Sequence, residues 1–142
     1  MTTYEKIDWV ADLVTPTLGV LALILPWLPM YSRSVAAWRR VACALLSVAV
    51  AYAGMYLDKF TGAWPAMSLD YSTHSAVCVA LLVPLATLSR RWTIAAVLIG
   101  VGYAAIMLYQ RYHTIADILS TAIPIGLASW GIWRLLSARR TA

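Results

Sequence analysis

The chain contains two histidines, His74 and His113, and each stands in a short polar cluster at the mouth of an apolar run. The first cluster reads Asp70-Tyr71-Ser72-Thr73-His74-Ser75, and the second Gln110-Arg111-Tyr112-His113-Thr114-Ile115-Ala116-Asp117. Ionisable groups in or beside membrane segments face the bundle interior or a water-filled cavity, and so point to function. His113 and Asp117 are four residues apart, which on a helix puts them on one face and lets the carboxylate hold an imidazole nitrogen. Two histidines, one backed by a carboxylate, can supply a nucleophile and a general acid. The carboxylate would fix the tautomer of His113 and stabilise its charge as the ring nitrogen attacks. Phosphorus suits this pair, because imidazole forms a phosphoramidate without a metal. Cations then bind the equatorial oxygens. Arg111 and Lys59 are the candidates for that role, and Ser72, Thr73 and the free N–H groups of the adjoining helix start could add donors. A Ser-Thr-His at a helix start is also what a simple cap looks like.

Membrane helices must position these residues. The chain has 142 residues, 62% of them hydrophobic and 12% charged. A soluble domain carries about 25% charge, and one small core cannot hide this much apolar surface. The reading is a single all-α transmembrane domain over residues 1–142. Five stretches are long enough, or nearly so, for a span of roughly 20 residues. They run about Trp9 to Met30, Val35 to Leu57, His74 to Leu88, Trp92 to Tyr109 and His113 to Leu135. The third is short, and the connection before it, Asp58 to Thr73, is the long one.

Five spans sort the charges. Arg33, Arg39, Arg40, Arg90, Arg91, Arg134, Arg139 and Arg140 fall on one side; Lys6, Lys59, Arg111 and all six acids fall on the other. The basic side marks the cytoplasm, which puts the N-terminus outside and the C-terminus inside. Trp9 and Trp64 then map near the outer interface, and Trp27, Trp38, Trp92, Trp130 and Trp133 near the inner one. The net charge of +5 is thus an orientation signal. A nucleic-acid partner is excluded as its explanation, since the arginines sit at helix ends and form no stripe. The N-terminus does not read as a cleaved leader, because Asp8 and Asp12 interrupt the apolar run. Those two acids read as solvated charges near a helix N-terminus. Cys43 and Cys78 read as small core residues. No metal-ligand spacing is present, and no cofactor is expected.

With this topology both histidines lie on the outer face. They are separated by 39 residues, which suits two spans and a tight turn at Ser89-Arg90-Arg91.

At these residues the chain resembles the type 2 phosphatidic acid phosphatase superfamily of lipid phosphatases and phosphotransferases. That family carries P-S-G-H at the start of one membrane helix, and S-R-x5-H-x3-D running into a later one. The counterparts here are Tyr71-Ser72-Thr73-His74 and His113-Thr114-Ile115-Ala116-Asp117. The resemblance covers about Lys59 to Leu135. It implies that His113 is the nucleophile, Asp117 its partner and His74 the acid that protonates the leaving oxygen. The family's first motif, K-x6-R-P, is represented only by Lys59 and Pro65 with no arginine between them. The Ser-Arg of the third motif falls at Ile106 and Met107, and Thr73 replaces the glycine of the second. In lacking the flanking arginines the chain looks nearer the branch containing sphingomyelin synthase, which transfers a head group from a phosphodiester.

The expected function is a metal-independent lipid phosphatase or head-group transferase. It would act on a lipid phosphate ester or pyrophosphate at the outer leaflet, through a phosphohistidine. Brevity and the analogy place it in a bacterial inner membrane with a periplasmic site. Two alternatives stand beside it: a catalytically degenerate relative that binds or moves a phospholipid or polyprenyl phosphate, and a structural membrane subunit.

Overall fold

The computed structural model describes residues 2–31 and 34–138, without the side chains of residues 3–6 and 34. Arg33, Arg139 and Arg140, three of the basic side's arginines, lie outside it, as does the side chain of Lys6. The described chain is all-helical: α1 (Thr3–Ile24), α2 (Ser34–Thr61), the short α3 (Ala63–Ala66), α4 (Thr73–Ala86), α5 (Arg90–Tyr109) and α6 (Ile115–Ala138). A 3-10 turn over Leu25–Trp27 follows α1, where Pro26 ends the regular helix.

Four segments are long and apolar enough to cross a membrane: Ile7–Trp27, Val35–Thr61, Arg90–Tyr109 and Ile115–Ala138. Such a set suggests an integral membrane protein. Their apolar residues largely point outward, as only 17% of the α5 window is buried within the chain. Leu98, Val101, Leu119 and Leu127 are among the exposed side chains.

The helix signals are local. Ser72 caps α4 by accepting from Ser75 N, and Ser89 caps α5 by accepting from Trp92 N. α2 runs past the expected end at Leu57 to Thr61, whose hydroxyl donates to Leu57 O. Gly62 then stops it with φ of 62°, a left-handed turn that suits glycine.

The central element is the shortest of the apolar helices. α4 packs against α1, α2, α5 and α6, while α5 and α6 barely touch each other. At 14 residues, α4 is about 21 Å long against a hydrocarbon core of about 30 Å. Its length differs from a full span because it starts inside the bundle. Ser72 N donates to the Thr121 hydroxyl, six residues into α6 and so about 9 Å below that helix's start. The Tyr71 hydroxyl donates to Ala51 O at 2.7 Å. Gly54 makes room for that ring, since any Cβ there would lie 2.7 Å from the Tyr71 oxygen. Burial and the nearby Asp58 carboxylate push the Tyr71 phenol up to about 12, so it stays a neutral donor.

The two ends of the bundle differ in chemistry. At one, Arg40 donates to the Thr87 hydroxyl and carbonyl and stacks over Trp133, Trp92 Nε1 donates to the Tyr31 hydroxyl, and Trp27 meets Trp38 edge-on. At the other, Asp58 accepts from Trp64 N, Trp64 Nε1 donates to the Ser120 hydroxyl, and the polar clusters assemble. Among the described residues, the charge sorting read from the sequence is thus a sorting between the ends of the folded bundle.

Candidate active site

His74 and His113 line one cavity of about 170 Å³, together with Ala11, Asp12, Met107 and Tyr112. Four elements supply it: α1, the first turn of α4, the last turn of α5, and the loop between α5 and α6. The α4–α5 hairpin therefore does what the spacing predicts, returning the chain to the level of His74.

His113 lies in that loop and outside α6, which begins at Ile115. The rule that puts residues four apart on one face holds only within a helix, so His113 and Asp117 do not pair. Nδ1 of His113 instead lies 3.3 Å from Oδ2 of Asp70. This is an ion-pair distance without hydrogen-bond geometry, and no hydrogen bond to Nδ1 is formed among the described residues. The His113 side chain is 11% exposed and that of Asp70 is 72% exposed, so the carboxylate is the wet partner and its pull on the ring is screened.

Asp117 is buried and its carboxylate is spent on the backbone. Oδ2 accepts from Thr114 N at 2.8 Å and from the Thr114 hydroxyl at 2.7 Å, while Asp117 N donates back to Thr114 Oγ1. Thr114-x-x-Asp117 is thus a capping box for α6. Oδ1 accepts from Asp70 N at 2.8 Å. Asp117 and His113 are electrostatic neighbours without a hydrogen bond between them, and Asp117 also fixes the backbone of Asp70, whose carboxylate faces the imidazole.

The remaining sequence candidates are dispersed. Ser72 is fully buried, its hydroxyl donating to Ser75 Oγ and capping α4. Thr73 opens α4 and does not line the cavity. Lys59 is exposed at the end of α2, over the Tyr56 ring. Arg111 is exposed and next but one to His113, with φ of 55°. It fills the left-handed position of a Schellman motif ending α5: Tyr112 N donates to Met107 O and Arg111 N to Leu108 O. Among the described residues no Lys or Arg lines the cavity, which carries Asp12 instead.

Two acids near the N-terminus of α1 border the site; Asp8 is half-buried and Asp12 exposed, in keeping with their reading as solvated charges. Asp8 accepts from Gln110 Nε2 at 3.3 Å and from the Tyr112 hydroxyl at 2.5 Å. It pins the His113 loop onto α1, and Asp12, one turn on, faces the histidines. Their i, i+4 spacing was the visible signal; what they face depends on α1 packing beside the loop. Asp70 was visible too, in the first cluster, but its partner sits 43 residues away in sequence. Among the described residues no group of three or more His, Cys, Asp or Glu is placed to hold a metal ion. No protein-family model matches the chain, and no curated protein or solved structure matches it either.

Proposed function

We propose that the protein is a membrane-embedded lipid phosphatase or head-group transferase whose nucleophile is His113. The observation that carries this is the shared cavity: the chain's two histidines line one small pocket although they come from different elements. With Nδ1 turned to Asp70, Nε2 attacks phosphorus and the bond to the leaving oxygen breaks. His74 gives that oxygen its proton. Water or an alcohol then returns a proton to His74, attacks the phosphohistidine and frees His113. Asp70 orients the ring, and Asp117 holds Asp70. α4 serves as a short fifth crossing, with the N-terminus outside and the site facing the periplasm of a bacterial inner membrane. The split of eight basic residues against three supports that orientation.

The cavity's charge narrows the substrate. A phosphomonoester dianion would meet Asp12 and no cation within it, whereas a phosphodiester carries one charge fewer. Purified protein incubated with radiolabelled lipid phosphates and phosphodiesters, then resolved by thin-layer chromatography, should turn over the diesters faster. Free labelled head group marks hydrolysis, and a new labelled lipid marks transfer. The cation-free pocket also favours a second reading, a binding relative that no longer reacts, for which none of the panel is consumed.

Arg111 stands two residues from His113, exposed and outside the cavity lining, and its role is testable because its backbone sits in the left-handed region. A non-glycine residue held in the left-handed region costs about 1 kcal/mol or more, and such strain concentrates at functional sites. Arg111→Gly should raise the melting temperature by roughly 3 °C in detergent. It should also raise KM about tenfold, as expected for one lost charge-assisted contact. A stabilised variant with unchanged KM would remove Arg111 from the phosphate's partners.

A further inference from the structure

A second cavity of about 450 Å³ lies between α4, α5 and α6. It runs along α4 from Ser75 to Ala86, flanked by Val97 and Val101 of α5 and Leu119 of α6. Those three flanking side chains are exposed, so the groove opens sideways between α5 and α6, which barely touch. The twelve-residue run corresponds to about 16 Å of helix, close to half of a hydrocarbon core about 30 Å thick. It is one leaflet deep. The loop from Gln110 to Thr114 joins α5 to α6 across its outer end, and that loop carries His113.

One polar group inside the groove has nothing to bond. Tyr103 lines it and is 3% exposed, and its hydroxyl has no hydrogen-bond partner among the described residues. A buried unsatisfied hydroxyl costs about 1–3 kcal/mol, and a ligand acceptor would recover that. Tyr103 lies six residues before the end of α5, about 9 Å below it. Asp12, a wall of the histidine cavity, is an electrostatic neighbour of this hydroxyl. The two cavities thus approach each other at Tyr103.

We propose that this groove holds one hydrocarbon chain of a membrane lipid, and that the Tyr103 hydroxyl donates to the ester or amide carbonyl joining that chain to the head-group end. The lipid's phosphate then falls at the histidine cavity; only its being the substrate rests on the reaction proposed above. An aqueous metabolite has no use for a dry slot one leaflet long. A lipid joined by ether linkages offers no carbonyl and a weaker acceptor.

The test uses the full chain in phosphatidylcholine vesicles. The probe is a phosphatidylcholine with a diazirine midway along one ester-linked chain, compared with its ether-linked counterpart. After photolysis, adducts are mapped by peptide mass spectrometry. Ester-probe adducts should concentrate on groove residues of α4, α5 and α6, and the ether probe should label them several-fold less. Val101→Trp, which fills the groove, should remove most of these adducts while leaving those on the outer faces of α1 and α2. Tyr103→Phe should equalise the two probes. Adducts spread evenly over all apolar helices, or cross-links of the groove to a second copy of the chain in place of lipid, would overturn the proposal. Equal labelling by both probes in the unaltered protein would overturn the role of Tyr103. His113→Ala should label normally, and groove labelling of the unaltered protein without turnover of any lipid would refute the reaction and leave the groove standing.

Discussion

His113→Ala is expected to abolish turnover of every lipid phosphate ester that the unaltered protein consumes, and to leave no phosphorylated protein behind. The nucleophile has no substitute, because the cavity contains one other imidazole and its task is proton transfer. His74→Ala should behave differently. Loss of a general acid costs about 10²–10⁴-fold with natural substrates, and much less with a nitrophenyl ester, whose leaving group needs no proton. Steady-state assays on both substrates separate the two roles. Equal losses for the two variants on both substrates would contradict the assignment.

Asp117→Ala is expected to damage stability and activity together. It strips acceptors from Thr114 N, the Thr114 hydroxyl and Asp70 N at once. A lost helix cap costs about 1 kcal/mol, and the two freed N–H groups belong to exposed residues that water can reach, so a loss of about 1–2 kcal/mol follows. Thermal denaturation in detergent, followed by tryptophan fluorescence, measures it. Asp70→Asn should do the reverse. That carboxylate is mostly exposed, so stability should hold while the rate falls by about tenfold, a modest loss for a screened partner. If Asp117 contacted His113 directly, Asp117→Asn would cost rate without stability and Asp70→Asn would cost nothing.

The contrast between these two aspartates shows what the sequence could and could not reveal. The two-ended bundle was legible because its cause is compositional: arginines and most tryptophans at one set of helix ends, acids and histidines at the other. The meeting of His74 and His113 was legible from hairpin length. The partner of His113 was not, because the four-residue spacing assumed a helix that the Thr114 cap delays to Ile115. The Thr114-x-x-Asp117 capping box was itself readable, and it accounts for the same aspartate. The depth at which α4 begins depends on Ser72 meeting Thr121 and Tyr71 meeting Ala51, contacts across 49 and 20 residues that no local pattern encodes. Asp12 entered the site for a similar reason, through the packing of α1 beside a distant loop.

The account centres on His113 taking a phosphoryl group within reach of His74. The most direct measurement is intact-protein and peptide mass spectrometry of His74→Ala after incubation with a nitrophenyl phosphodiester. Attack should proceed on this activated ester, and without His74 to activate the acceptor the intermediate should persist, as an acid-labile adduct on His113. Continued release of nitrophenolate with no adduct on His113, or with the adduct on another residue, would contradict it.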